Sequence, residues 1–133
     1  MSDSQFSMEL MPRFCETDAL GHINNTVIPV WFEAAREPIF EIVNPGQDVA
    51  KWNMIIAGFT ITFNAPTYYG KAVTVKTHIS RIGNSSFDIT QSCWQQGNKT
   101  AEAQTTMVHY NYQTQTSVAL SDTVKAQLAQ VSG

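Results

Sequence analysis

The chain has 133 residues, enough for one domain with a sizeable hydrophobic core, and we expect residues 1–133 to form a single domain. Its formal net charge is −3 and it has no block of basic residues, which argues against nucleic acid as a partner. Charged residues make up only 14% of the chain, a low fraction for an isolated domain, which indicates that another subunit covers part of the surface.

Compartment and metal content can also be predicted from composition. The first ten residues have neither the basic start nor the apolar run of a signal peptide, and no segment has the length of a membrane span, so we expect a cytoplasmic protein without a membrane partner. Cys15 and Cys93 are too few and too far apart for a zinc motif. We expect them to be free, buried thiols, and we expect no metal site.

The N-terminal part of the chain predicts a short strand over residues 8–14, followed by a loop over residues 15–25 that is rich in Gly, Asn and Asp. A helical pattern then runs from residue 27 to about residue 43. Two residues that commonly cap helices, Asn25 and Thr26, stand just before it and are its predicted caps.

The predicted helix is apolar around most of its circumference. Glu33, Glu37 and Glu41 recur every four residues and define one polar stripe, and most other positions are apolar. We therefore expect the helix to be largely buried. Pro29 suits its first turn, whereas Pro38 should kink the helix or end a first segment near Glu37.

After the helix, the pattern changes to the two-residue period of strands. Four segments rich in Thr, Val, Ile and aromatic residues alternate apolar and polar side chains, and Gly-Asn pairs at positions 83–84 and 97–98 predict hairpins between them. The alternating segments include residues 59–64, 73–80, 87–94 and 103–110.

The order of elements predicts an α+β fold in which one five-stranded antiparallel sheet wraps around one long apolar helix. A short C-terminal helix is expected over residues 121–131, capped by Ser121 or Asp122. Five strands leave two open edges, and the low charged fraction indicates that one edge pairs with a second copy, so we expect a homodimer or a homotetramer.

The loop before the long helix holds the candidate catalytic residues. Asp18 could simply cap a turn or the helix, but Asn24, Asn25 and Thr26 are better placed as caps. Gly21 allows a close approach of the backbone to a ligand. A carboxylate beside a helix N-terminus can act as base or nucleophile on a carbonyl whose oxyanion the helix end stabilises.

The histidines and the helix charges also allow more than one interpretation. His22 could orient the site or donate a hydrogen bond, with direct proton transfer less favoured, whereas His78 and His109 fall within strands and are expected to be ordinary sheet residues. Glu33 and Arg36 have the i, i+3 spacing of a weak surface ion pair. Because the helix is so apolar, Glu33 is also a candidate substrate contact.

Two segments, TDALGHINN at residues 17–25 and FEAAR at residues 32–36, resemble the signature of the hotdog-fold acyl-CoA thioesterases of the 4-hydroxybenzoyl-CoA thioesterase type. The segment at 66–70 and the turn at 82–86 also resemble this family. The resemblance covers residues 8–125 and identifies the predicted sheet and helix as a hotdog fold.

The resemblance implies that the chain hydrolyses an acyl-CoA thioester to a free acid and CoA, with CoA as part of the substrate and no separate cofactor. Asp18 matches the catalytic carboxylate, as nucleophile or as base for water, and the backbone N–H of Asn25 matches the helix-end donor. Members often carry Tyr where this chain has Ile28. Hotdog domains dimerise edge to edge with active sites at the interface.

Further substrate contacts are expected around the acyl group and at the hairpin turns. These candidates are Gly21, Asn24, Ile28, Glu33 and Phe59, with Arg81 and Lys99 for the CoA phosphates. The acyl group and the choice between CoA and an acyl-carrier protein stay open. There are two alternatives. One is a hotdog hydratase or dehydratase, although the usual Asn-Pro-x-His segment of those enzymes is absent from this sequence. The other is a non-catalytic acyl-thioester-binding protein.

Overall fold

One antiparallel sheet and two short consecutive helices make up most of the computed structural model, which describes residues 5–133. The strands are β1 (Phe6–Leu10), β2 (Met54–Phe63), β3 (Val73–Ile82), β4 (Ser86–Gln95), β5 (Asn98–Asn111) and the two-residue β6 (Thr116–Ser117). The helices are α1 (Ile28–Ala35), α2 (Glu37–Val43) and α3 (Asp122–Ala129). The strand order is β1-β3-β4-β5-β2, with β6 beside β5. The predicted α+β architecture is confirmed.

The first strand lies earlier in the chain than predicted, at Phe6–Leu10 instead of residues 8–14. Pro12 has no N–H to donate to a ladder, and the chain turns into a 3₁₀ segment, Phe14–Glu16, in which the Glu16 N–H bonds to the Arg13 carbonyl at 2.9 Å. Cys15 lies in this segment and is exposed, so the prediction that it is buried is wrong. Cys93 is buried, and neither cysteine forms a disulfide.

The long helix is divided at Arg36, in agreement with the position of Pro38 in the first turn of α2. The predicted caps are wrong, because α1 begins after Val27 without a side-chain cap. The Asn24 side chain instead accepts a hydrogen bond from the Thr26 N–H at 2.9 Å, which forms a turn before the helix.

The helices bury one face against the sheet. Phe32 and Ile39 are fully buried, and they belong to two neighbouring clusters of core residues under α1 and α2. The stripe of Glu33, Glu37 and Glu41 is exposed, as its spacing predicts. Val30 is 60% exposed, so part of the apolar surface of α1 lies outside the core of the chain.

The two edges of the main sheet are β1 and β2. A bulge between Ile56 and Gly58 interrupts the pairing of β2 with β5. Several large apolar side chains of β2 remain exposed, namely Ile55, Ile56, Phe59 and Phe63. An edge strand with this composition is suited to pairing with another chain.

The remaining elements agree closely with the sequence. The β4–β5 hairpin turns at Gln96 and Gly97, both with positive φ, and the Ser121 hydroxyl caps α3 by accepting from the Val124 N–H at 3.1 Å. The short strand β6 was not predicted. In the range 5–133, no helix has the length and apolar character needed to cross a membrane.

Candidate active site

A cavity of about 390 Å³ lies between the loop that precedes α1 and the segment that follows β2. Four predicted site residues, Asp18, His22, Asn25 and Ile28, line it together with Ile23. The opposite wall is the end of β2 and the following residues, Phe63, Asn64, Ala65, Pro66 and Thr67. The fold therefore brings the predicted carboxylate and the start of α1 to one concave surface.

The loop holds the Asp18 side chain by one of its two carboxylate oxygens. Oδ1 accepts hydrogen bonds from the Leu20 N–H at 2.7 Å and the His22 N–H at 3.1 Å. The Asp18 N–H donates to the His22 carbonyl at 2.7 Å, and Gly21 closes the turn with a φ of 81°. Within residues 5–133 no group donates to Oδ2, so this oxygen is available to a ligand or a water molecule.

The turn before α1 contains a backbone N–H without an acceptor among the described residues, and it belongs to a residue that lines the same cavity. The Asn24 carbonyl accepts from the Val27 N–H at 3.0 Å, and the Asn24 side chain accepts from the Thr26 N–H and hydroxyl. By contrast, the Asn25 N–H donates to no acceptor in the described part of the chain. Asn25 lies in the turn three residues before α1, and its N–H is suited to polarising a carbonyl oxygen.

His22 connects the two walls of the cavity. Its backbone forms an isolated bridge with Tyr68, and the two rings meet edge to face with their centroids 5.1 Å apart. The Ile23 N–H donates to the Thr67 carbonyl at 2.7 Å. These contacts are consistent with an orienting role for His22.

Two polar residues that sequence reasoning missed support this site. Gln95, buried at the end of β4, bonds through its side-chain amide to both the N–H and the carbonyl of Tyr68. Glu16 is also buried and accepts hydrogen bonds from the Arg13 N–H at 2.7 Å and from Trp31 Nε1 at 3.1 Å. The position of Glu16 directly before Thr17, where the motif begins, was the only local sequence feature that pointed to Glu16.

The charge state of Glu16 reflects two opposing effects. Burial raises the pKa of its carboxyl group, but hydrogen bonds from the Arg13 N–H, the Trp31 indole and the Arg13 guanidinium together bring the pKa below its ordinary value. The Asn24 N–H also donates to the Glu16 carbonyl at 2.8 Å. An ionised Glu16 therefore connects the candidate catalytic loop to Trp31 of α1.

The other predicted site residues do not line this cavity. Gly21 and Asn24 shape the loop, whereas Glu33 and Phe59 line a second cavity further along α1 and β2. The surface ion pair that the spacing of Glu33 and Arg36 allows does not form. Arg36 is buried and, within residues 5–133, makes no salt bridge.

The two candidate phosphate-binding cations lie on the strands near the hairpin turns and are paired with carboxylates. Arg81 Nε lies 2.8 Å from Asp88, and a hydrogen bond from this guanidinium is the largest of the effects that hold the pKa of Asp88 below its usual range. Lys99 lies 2.7 Å from Glu102. Contact of Arg81 and Lys99 with CoA stays a prediction. The described residues contain no cluster of three or more His, Cys, Asp or Glu that could hold a metal ion.

Comparison with known proteins identifies the class to which this fold and cavity belong. The chain belongs to the thioesterase-like superfamily, whose family model matches residues 12–128. It is thus a hotdog-fold enzyme of the thioester hydrolase class, as the motif at 17–25 predicts. No curated protein sequence matches the chain significantly.

Solved structures resemble the chain over nearly its whole length. A protein described as a predicted thioesterase from Bacillus stearothermophilus is 37% identical, with 95% of each chain covered and a TM-score of 0.92. A thioesterase from Thermus thermophilus, crystallised with coenzyme A and Zn, is 21% identical, with 96% and 93% covered and a TM-score of 0.84. A variant of 4-hydroxybenzoyl-CoA thioesterase, bound to 4-hydroxybenzoyl-CoA, is 14% identical, with 94% and 99% covered and a TM-score of 0.81.

Proposed function

We propose that the chain hydrolyses acyl-CoA thioesters at the cavity lined by Asp18 and Asn25. The observation that supports this most directly is that Oδ2 of Asp18 and the N–H of Asn25, which have no hydrogen-bond partner within residues 5–133, belong to residues lining one cavity. A thioester carbonyl placed between them would have its oxygen at the N–H and its carbon facing the carboxylate. Each group would then act on the reacting carbonyl.

The two possible roles of Asp18 use the same oxygen. As a general base, Oδ2 takes a proton from water, the water oxygen attacks the carbonyl carbon, the C–S bond breaks, and the products are a carboxylic acid and the CoA thiol. As a nucleophile, Oδ2 attacks the carbonyl carbon and expels the CoA thiolate, and water then hydrolyses the mixed anhydride. The Asn25 N–H stabilises the oxyanion in both routes, and one such donor is worth about 3 kcal/mol in the barrier.

His22 and Ile28 complete the proposed site. His22 orients the catalytic loop through its bridge to Tyr68, and Ile28 presents an apolar side chain at the start of α1 for the first carbons of the acyl group. We also propose that the protein acts as a homodimer or larger homo-oligomer, because β2 is an open sheet edge that carries exposed apolar side chains such as Ile55. The exposed free thiol of Cys15 is consistent with a reducing cytoplasm.

A panel of CoA thioesters of graded acyl length, assayed for release of the free thiol, tests the proposed function. The wild-type chain should release CoA from at least one member of the panel. Asp48→Asn, a change at the exposed cap of the 3₁₀ segment Val49–Lys51, is a charge-matched control for Asp18→Asn and should retain the wild-type rate.

The same panel separates the alternatives. Hydration of an enoyl-CoA without thiol release would assign the protein to the hydratases. Measurable binding of acyl-CoA with no turnover of any member would assign it to the non-catalytic binding proteins. Either outcome would overturn the proposed hydrolase.

A further inference from the structure

A second cavity, of about 290 Å³, lies against α1 and β2 beyond the candidate active site. Its lining consists of Pro29, Val30, Glu33, Arg36, Ile56 and Phe59. Four of these side chains are apolar and two carry opposite charges. The cavity is thus an apolar trough with a cation buried in its wall.

Arg36 has an incomplete set of partners. The residue is 3% exposed, and its Nη1 donates one long hydrogen bond of 3.3 Å to Gln91 Oε1. Its Nε has no acceptor, and no carboxylate of residues 5–133 lies within salt-bridge distance of the guanidinium. The Gln91 amide group is committed elsewhere, since Nε2 donates to the Phe32 carbonyl and the Thr77 hydroxyl.

A buried guanidinium with so few partners is electrostatically incomplete. Burial lowers the pKa of Arg36, and the charge of Glu33 opposes this only in part. Removing a cation from water without an anionic partner is costly, and a planar guanidinium with free donors favours a carboxylate that accepts two parallel hydrogen bonds. Glu33 is exposed, so water screens its charge more than it screens an anion inside the cavity.

The two cavities are lined by successive positions of the same two elements. Ile28 in the first cavity is followed by Pro29 in the second, and Phe63 and Phe59 lie on the same face of β2, four residues apart. Arg36 lies eight residues after Ile28, which corresponds to roughly 12 Å along the helix axis. An acyl chain whose carbonyl is held by Asp18 and Asn25 would therefore run along α1 towards Arg36.

We propose that the second cavity binds a carboxylate at the far end of the acyl group, so that the preferred substrates are CoA monothioesters of dicarboxylic acids. This inference rests on the proposed acyl-CoA hydrolysis. Arg36 is the specificity-determining residue, and the apolar side chains of the trough contact the methylene groups between the two ends of the acyl chain.

Matched pairs of substrates test the inference. Suberoyl-CoA is compared with octanoyl-CoA, and sebacoyl-CoA with decanoyl-CoA, and the ratio of kcat/KM within each pair is measured. We expect the carboxylated member to be favoured about tenfold or more at one of these lengths, as for a charge-assisted hydrogen bond. Ratios of one at both lengths would overturn the inference.

Variants of Arg36 and Glu33 should change the kcat/KM ratio within each substrate pair in opposite directions. Arg36→Met should bring this ratio close to one. Glu33→Gln, a change at an exposed position that does not threaten folding, should raise it about twofold, because a repulsive charge is removed. Lys51→Gln removes one positive charge at an exposed position outside both cavities and should leave the ratio unchanged. A ratio that is insensitive to Glu33→Gln, and in folded protein to Arg36→Met, would contradict the inference.

A binding measurement distinguishes failure of this inference from failure of the proposed function. The dissociation constants of the eight-carbon and ten-carbon pairs are measured by calorimetry on Asp18→Asn, since this measurement does not require turnover. Tighter binding of a carboxylated member by about tenfold would support the role of Arg36 even if no thioester were hydrolysed. Equal constants within both pairs would overturn the role of Arg36 even if alkanoyl-CoA were hydrolysed rapidly.

Discussion

The side-chain amide of Gln95 forms hydrogen bonds with both the N–H and the carbonyl of Tyr68. Gln95 Oε1 accepts a hydrogen bond from the Tyr68 N–H at 2.8 Å, and Gln95 Nε2 donates to the Tyr68 carbonyl at 2.8 Å and to the Lys71 carbonyl at 3.1 Å. Tyr68 in turn forms the bridge with His22. One buried amide at the end of β4 therefore fixes the residue that follows the cavity wall at Thr67 and pairs with the candidate catalytic loop.

Replacing Gln95 by Ala should lower both stability and activity. The change leaves the Tyr68 N–H without its partner, which should reduce the free energy of unfolding by about 1–3 kcal/mol. Below the unfolding transition we expect kcat to fall more than KM rises, because the catalytic loop loses its support. Thermal unfolding and steady-state kinetics measure the two effects. Gln104→Ala, at an exposed position of β5, is the matched control, and equal kcat for the two variants would refute the positioning role.

Substitutions of Asn25 should separate its backbone from its side chain. Asn25→Ala keeps the N–H and should leave kcat within a few-fold of wild type, whereas Asn25→Pro removes the N–H and should lower kcat by about 10²–10³-fold. Circular dichroism establishes that both variants are folded before their rates are compared. Similar kcat values for two folded variants would show that the N–H is not the oxyanion donor.

In the Glu16→Gln variant, the free energy of unfolding should depend less on pH in the acid range than it does in wild type. Because the pKa of Glu16 is lowered in the folded chain, the ionised carboxylate stabilises the fold above its ordinary pKa of about 4.3, and this stabilisation is lost as the pH falls through the lower folded value. Wild type should therefore exceed the variant in unfolding free energy at pH 7 by about 1 kcal/mol. Urea unfolding at a series of pH values measures the difference, which should shrink in acid. A constant difference between pH 7 and pH 3 would contradict this interpretation.

The two thiols should differ in reactivity. Cys15 is exposed, whereas Cys93 is fully buried in β4, where burial raises the pKa of its thiol. A chromogenic disulfide reagent should label one thiol per native chain and two in denaturant. Cys15→Ser should abolish the native reaction. Rapid labelling of that variant without denaturant would show that β4 opens readily.

Most of the sheet could be predicted from sequence because its central strands follow the two-residue pattern closely. Along β3 and β4, alternate residues such as Val75 and Ile89 are buried, and their neighbours are not. In β2 the same alternation did not predict burial correctly, because Phe59 and Phe63 are exposed at an edge that the single chain does not cover. Sequence shows which residues are apolar, but only the strand order shows which strand lies at the edge.

The candidate site was predictable to the extent that its residues are close in sequence. Asp18, His22 and Asn25 share one loop, and their short separations carried the prediction. The Gln95–Tyr68 contact joins residues 27 positions apart, and nothing in the local sequence marks it. The burial of Arg36 could not be predicted either, because an i, i+3 pair with Glu33 is typical of an exposed helix face. Arg36 is buried because of the way α1 packs on the sheet.

The rate of thioester hydrolysis by Asp18→Asn, compared with wild type on the best substrate of the panel, tests the central claim most directly. The replacement keeps an oxygen that can accept from the Leu20 and His22 N–H groups, so the loop should stay folded and the dissociation constant for acyl-CoA should change little. If the carboxylate acts on the thioester, kcat should fall by about 10²-fold or more. A folded Asp18→Asn protein that hydrolyses the substrate at the wild-type rate would contradict the account.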